Sequence, residues 1–380
     1  MFTTEKLNTK QRFINVMDYK PVDKIPNFEA GVWGQTIDLW QSQGLDISNL
    51  SWDWFTGEEY FMMDKRWFFP ANLQMMPSFE YKLIERTERY EIFTDEGGRT
   101  RKALIEGTSR GTRMCMDEYI DFPVKTRQDF LDMKKRYIVD IEKRYPKNWD
   151  SPEEIEKYKN RDIPLIFSWN CGTLGFYWIL RNFMGTEGLS YMMYDEPELI
   201  YEIAEFIADF TIEMSKPFLA VTDCEYIMLS EDMSMKTGPL ISPSKYKELI
   251  FPHMRRLAEF YKKNGVRYVF VDTDGNCEAL LPLLIESGVD GIWPLERVAN
   301  MDPLRIRNEY GKDLRLFGAV DKMELAKDKK AIDEHLAALA PLIEQGGFIP
   351  TVDHTVPPDV SLENFMYYVK RKEDLLWGRF

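Results

Sequence analysis

The sequence predicts an α/β fold: a (β/α)8 TIM barrel carrying an N-terminal elaboration that contains a β-hairpin. Three observations predict it. Short apolar runs recur through the last two-thirds of the chain, each ends in an acidic, amide or histidine residue, and most are followed by a segment with helical spacing. Strands alternating with helices argue for a parallel sheet. In a closed barrel the C-terminal strand ends ring the active site, so polar residues at those ends read as catalytic or ligand-binding.

The runs are Ile163–Asn170, Tyr226–Asp232, Tyr268–Asp274, Val289–Glu296, Leu314–Asp321 and Phe348–His354. Before them, residues 1–120 read as a lid on the barrel that includes its first strand, Ile25–Glu29. Two alternating stretches, Tyr81–Phe93 and Arg99–Glu106, flank Asp95-Glu-Gly-Gly98 and predict a hairpin. Residues 126–161 are highly charged with apolar residues at helical spacing, which suits a surface helix and loop. Ser242-Pro243 starts a helix and Asn264-Gly265 stops it; the apolar stripe between them is expected to pack on the barrel. No Pro/Gly/Ser-rich linker divides the chain, so residues 1–380 read as one domain.

Length and charge set limits. The chain has 380 residues, 44% of them hydrophobic, against about 250 residues for a typical (β/α)8 domain. A formal charge of −14 disfavours nonspecific binding to nucleic acid or anionic lipid. No apolar run reaches the ~18 residues a membrane helix requires, and the N-terminus lacks a signal-peptide core; a cytoplasmic protein is expected. Cys115, Cys171, Cys224 and Cys277 include no CxxC pair, so they are expected to be ordinary thiols, Cys171 and Cys277 being the exceptions because they sit at or just past predicted strand ends.

Chemistry concentrates at the strand ends. Asp272-Thr-Asp274-Gly275-Asn276 superficially suggests a calcium loop, but Cys277 and Leu283 stand where an EF-hand requires Gly and Glu. Asp272 and Asp274 instead share one face of a strand end, where two like charges bind a cation or share a proton; capping the next helix or pairing with an arginine is the plainer alternative. His354 lies beside Asp353 and suits an acid, a base or a ligand. His253 and His335 fall within helices and are expected to be ordinary. Glu231, Asp232 and Glu296 add carboxylates to the same rim, and Asn170, Tyr177 and Arg181 are candidates to face it. No dinucleotide, P-loop or GxSxG motif occurs.

Arg12, Pro21-Val-Asp-Lys-Ile-Pro26, Gly172-Thr-Leu174, Thr237-Gly-Pro239, Asp274-Gly275, Asp353-His354 and Pro357-Pro-Asp-Val-Ser-Leu-Glu-Asn364 together resemble the uroporphyrinogen decarboxylase superfamily, a (β/α)8 fold. The resemblance implies one of two activities. Its decarboxylases hold a polycarboxylate with an N-terminal arginine motif; here that place reads Asn27-Phe-Glu29-Ala-Gly-Val-Trp33-Gly34 and lacks arginine. Asp232 stands where those enzymes carry a serine, while Asp64 and His354 match their pattern. The other branch moves methyl groups between a corrinoid and a thiol, using zinc held by a His-x-Cys pair and a late Cys. Here Asp272-x-Asp274 and Val352 occupy those places, and such an oxygen-rich set suits a harder metal or a protonated base.

The resemblance thus implies a corrinoid-linked methyltransferase of divergent type. Its candidate catalytic residues are Asp232, Asp274, Glu296 and His354, and its candidate metal ligands, for a divalent ion such as zinc, are Asp272, Asp274 and His354. Its candidate substrate contacts are Glu29, Trp33, Asp64, Asn170, Tyr177, Arg181, Glu231 and Asp353. Expected partners are a small methylated substrate, a corrinoid protein or free methylcobalamin, and a second copy of the chain. A decarboxylase or lyase for a smaller substrate and a non-catalytic tetrapyrrole binder are the alternatives.

Overall fold

A computed structural model of the chain describes residues 2–48, 59–106, 108–110, 112–113, 117–167 and 175–380. Its centre is a seven-stranded sheet in which every neighbouring pair is parallel. The strands are β1 (Trp67–Phe69), β6 (Leu165–Phe167), β7 (Tyr226–Ser230), β8 (Tyr268–Asp272), β9 (Gly291–Leu295), β10 (Arg315–Val320) and β11 (Phe348–Val352), in that spatial order. Almost every residue in β6 to β11 is buried, the pattern of a sheet covered on both faces. Helices supply the cover, among them α3 (Phe176–Asp195), α4 (Pro197–Val221), α5 (Phe251–Lys263), α6 (Lys329–Gln345) and α7 (Leu362–Leu376). The arrangement is TIM-barrel-like. Each of the six apolar runs contains a strand.

Two expectations change at the N-terminus. The three-residue strand β1, Trp67-Phe-Phe69, is too short to show a period in the sequence. The expected strand Ile25–Glu29 joins no ladder; its backbone bonds to Asp64, Arg66, Lys372 and Leu376, outside the sheet's strands. Asn27 N–H donates to Asp64 Oδ2 (2.7 Å) and Asp64 N–H to Asn27 O (2.9 Å). On the other flank, Val352 N–H donates to Glu29 Oε2 at 2.7 Å. The segment therefore bonds toward both outer strands, β1 and β11. Glu29 is buried and also accepts from Lys372 Nζ (2.6 Å) and the Tyr368 hydroxyl.

The end of the sheet opposite the rim is plugged by rings. Asn8 and Gln11 cap helix α1 (Thr9–Met17) reciprocally. From this helix Phe13 packs on Tyr226 and Tyr268, at the starts of β7 and β8, with centroids 5.1 and 6.0 Å away. Phe270 and Phe317 continue the cluster, their centroids 5.0 Å apart.

The hairpin region is a four-stranded antiparallel sheet, β2 (Lys82–Arg86), β3 (Tyr90–Thr94), β4 (Thr100–Leu104) and β5 (Glu118–Asp121). The stretch Tyr81–Phe93, expected as one strand, is broken at Thr87, whose hydroxyl accepts the N–H groups of Arg89 and Tyr90. The Asp95–Gly98 turn lies where expected, and Arg99 reaches from it to Asn182 on α3. The helix expected from Ser242 to Asn264 is divided at Ile250 into Pro243–Leu249 and Phe251–Lys263, because Pro252 restarts the second piece in its first turn. Among the described residues no helix is long and apolar enough to cross a membrane.

The buried Glu29–Lys372 pair gives the first prediction. Lys372→Met leaves a carboxylate buried without its counter-charge and is expected to cost about 3–5 kcal/mol, read in a urea melt. Adding Glu29→Gln should recover part of the loss.

Candidate active site

The rim is built from residues at or just past the strand ends: Glu231 and Asp232 after β7, Asp272 to Asp274 at the end of β8, Glu296 after β9, Asp321 and Lys322 after β10, and Asp353 and His354 after β11. Gly275, at φ +75°, lets the β8 loop lie on the backbone of Ser234 and Met235, where a Cβ would come within 2.7 Å of Met235.

Asp274 and His354 meet. Nε2 of the histidine lies 3.3 Å from Asp274 Oδ2, with the two side chains 28% and 40% exposed, and Trp33 stacks on the imidazole at 6.0 Å between centroids. Burial opposes both charges, but the mutual hydrogen bond and attraction outweigh it. Asp274 is held below, and His354 above, its ordinary value.

The neighbouring carboxylates are treated differently. Asp272 accepts from Ser230 Oγ at 3.2 Å. Burial, then the charges of Asp232 and Asp274, push it well above the usual carboxylate range, toward the protonated form. Asp232, at φ +42°, accepts from Arg181 at 2.9 Å on its carboxylate and 3.0 Å on its carbonyl. Burial and Asp274 raise it, opposed by Arg181 and His354. Glu231 is fully buried against the start of α3 and takes the Tyr177 N–H at 2.6 Å. Burial pushes it up to about 7 against the pull of the Phe176, Tyr177 and Trp178 N–H groups. Gly175 permits this approach, since a Cβ there would sit 1.7 Å from Ser230 O.

Lys322 is the rim group that the sequence reading missed. It bonds Glu296 Oε1 at 3.1 Å and Asp353 Oδ1 at 3.2 Å. Glu296 Oε2 accepts from Gly275 N–H (2.8 Å), and Asp353 Oδ2 from Arg297 N–H (2.9 Å). The signal was available: Lys322 follows the Leu314–Asp321 run as directly as His354 follows Asp353. Below the rim, buried Arg66 was also missed; it lies 4.8 Å from the Phe28 ring centroid and donates to Glu29 O.

Several expected contacts lie elsewhere. Glu29 spends its oxygens on Val352, Tyr368 and Lys372, so it presents no open face to a substrate. Asp64 precedes β1, with Asn27 and Lys24, away from the strand ends. Tyr177 is buried, its hydroxyl pushed up to about 12. Asp353 is fully buried under Lys322. Asn170, Cys115 and Cys171 lie outside the described residues, as do Gly172–Leu174. Cys224 and Cys277 are free and buried, and burial raises both thiols. His335 Nε2 accepts from Asp321 N–H, and His253 is buried beside Tyr201, both ordinary helix positions.

The expected metal set was Asp272, Asp274 and His354. Among the described residues no group of three or more His, Cys, Asp or Glu side chains is arranged to hold a metal ion. Asp272 turns to Ser230 while Asp274 and His354 bond each other, so these residues as placed do not fit a three-ligand site.

Fold and rim together define a TIM-barrel-like α/β protein with its ionisable groups gathered at the C-terminal strand ends, where enzymes of this fold work. The family model described as "Uroporphyrinogen decarboxylase (URO-D)" matches residues 119–374, and the chain belongs to that family. It is 26% identical over 281 residues to a uroporphyrinogen decarboxylase of Carboxydothermus hydrogenoformans, covering 71% of this chain and 75% of the relative. A uroporphyrinogen decarboxylase of Hydrogenovibrio crunogenus is 24% identical over 266 residues, 67% and 70% of the two chains. A solved methyltransferase from Methanosarcina mazei superposes with a TM-score of 0.61 over 97% of this chain and 99% of its own, at 13% identity. At that identity the likeness is one of fold.

Two predictions follow the electrostatics. The raised His354 contributes stability that is complete below the unfolded histidine value and is lost as pH rises through its folded value. His354→Gln should therefore cost up to about 1 kcal/mol near pH 6 and less near pH 9 in paired urea melts. Glu231 has the opposite sense. Its raised folded value means the protein loses stability as pH rises from the ordinary glutamate range to about 7. Glu231→Gln should abolish that loss, on the order of 3 kcal/mol.

Proposed function

We propose that this protein is a corrinoid-linked methyltransferase that takes a methyl group from a small neutral or cationic methyl ether or amine. One observation carries the reading: the rim's cations are committed to its own carboxylates, while Asp272 is driven toward its neutral acid form. Arg181 is bound to Asp232, and Lys322 to Glu296 and Asp353. A polycarboxylate would have to displace those bonds and meet the remaining like charge, at up to several kcal/mol per contact.

Breaking the methyl–oxygen bond of a neutral ether, or the methyl–nitrogen bond of a neutral amine, leaves a basic atom that must gain a proton, whereas a cationic ammonium leaves as the neutral amine. Asp272 suits that task, because a positioned acid raised above the usual carboxylate range holds its proton to higher pH than an ordinary aspartate. Asp274 and His354 form the adjoining pair that orients the substrate and returns a proton to Asp272, and Trp33 offers an apolar wall. A corrinoid, when bound on a partner protein, supplies a nucleophilic cobalt to accept the methyl group. A divalent ion would first have to part Asp274 from His354.

Decarboxylation of a smaller substrate is the second reading, favoured by the names of the two curated relatives. Anaerobic assays of methyl ethers and amines with reduced corrinoid discriminate them. Methylcobalamin formation is expected. It should fall by about 10²–10⁴-fold in Asp272→Asn and decline as pH rises through the elevated Asp272 value. CO2 release from a carboxylated substrate without corrinoid would replace this reading with the second. Tetrapyrrole binding without turnover, unchanged in Asp274→Asn, would leave a binding protein.

A further inference from the structure

The Asp274–His354 pair joins two strand ends, and nothing in either side chain alone fixes the gap between them. Each residue is adjacent in sequence to a group tied, directly or through one carboxylate, to the same ammonium. Asp274 precedes Gly275, whose N–H donates to Glu296 Oε2 (2.8 Å), and Glu296 Oε1 accepts from Lys322 Nζ (3.1 Å). His354 follows Asp353, whose Oδ1 accepts from the same Nζ (3.2 Å) and from Lys322 N–H (3.2 Å). The Asp353 side chain is fully buried, and those of Lys322 and Glu296 are 17% and 16% exposed, so the tie is shielded from solvent screening.

We propose that Lys322 is a positioning residue: by holding Glu296 and Asp353 together, it fixes the backbone on either side of the Asp274–His354 contact. This rests on reading that contact as the working pair of the site. The alternative role for Lys322 is that of a nearby charge. Its charge lowers the pKa of His354 and of Asp274 through space, an effect that requires no bond to Glu296 or Asp353.

The two roles separate in a double-mutant cycle read by NMR on the full chain carrying ¹⁵N-labelled histidine, at one pH low enough that the His354 ring is doubly protonated in every variant. The chain has three histidines, and His253 and His335 serve as internal controls of folding. The change in His354 ring-nitrogen shifts on Asp274→Asn measures the contact. With the ring doubly protonated throughout, forming the difference within one background cancels the through-space charge of Lys322.

That change is expected to fall to less than half of its wild-type size in a Lys322→Met background, and to recover in Lys322→Arg. Glu296→Ala, which keeps the lysine but removes the link to Gly275, is expected to reproduce the fall and carries the test if Lys322→Met does not fold. An undiminished change in the Lys322→Met or the Glu296→Ala background overturns the inference. If Asp274→Asn leaves His354 unmoved in the wild-type background, the contact itself is absent and the inference falls with it. Retained contact alongside absent methyl transfer would instead refute the functional reading and leave Lys322 as the positioning group.

Discussion

Carboxylates crowded at one end of a parallel sheet constrain everything else about this molecule. Parallel strands all deliver their final residues to the same rim, and here those residues include Glu231, Asp232, Asp272, Asp274, Glu296, Asp321 and Asp353. Two like charges 4 Å apart repel by about 4 kcal/mol at an effective dielectric of 20, so an uncompensated ring could not persist. Each carboxylate has its own resolution. Glu231 takes backbone N–H groups at a helix start, and Asp232 takes Arg181. Glu296 and Asp353 share Lys322, Asp274 takes His354, and Asp321 caps the helix that follows it. Asp272 accepts from the Ser230 hydroxyl, and burial with the charges of Asp232 and Asp274 drives it toward the protonated form.

That inventory turns structure into chemistry. Burial, then the charges of Asp232 and Asp274, raises Asp272 beside the Asp274–His354 pair, an arrangement that suits the proton donor proposed above. The same balance bears on substrate choice, since a ligand entering the rim must be compatible with groups already saturated by one another. The sheet that enforces this geometry is tied at its N-terminal segment by another buried charge pair, Glu29 with Lys372, which anchors residues 25–29 to β11 and α7.

Much of this frame was legible in the sequence because buried parallel strands leave a distinctive trace. Each of the six runs contains a strand because its apolar residues are buried on both faces. Trp67–Phe69 left no such trace: three residues are too few to show a period. Ile25–Glu29 looked like a strand, but its backbone bonds Asp64, Arg66, Lys372 and Leu376 outside any ladder, and composition does not reveal which groups replace one. Reading each carboxylate as a site residue also missed what balances it. Glu29 was assigned by its place in a family pattern, whereas Lys372, more than 300 positions away in the chain, saturates it.

Lys322 shows why the site was less legible than the fold. Searching strand ends for acids finds the negative half of an electrostatic network and overlooks the positive half, although both are subject to the same rule of position. A cation that follows an acid at a strand end can bridge the loops on either side of its own strand, because those loops are its nearest neighbours around the rim. Lys322, after β10, reaches Glu296 after β9 and Asp353 after β11. The spatial order of a parallel sheet thus turns one lysine into a connection between two loops that the sequence separates by more than 50 residues. In such a fold the counter-charges are where the geometry of the reacting groups is decided.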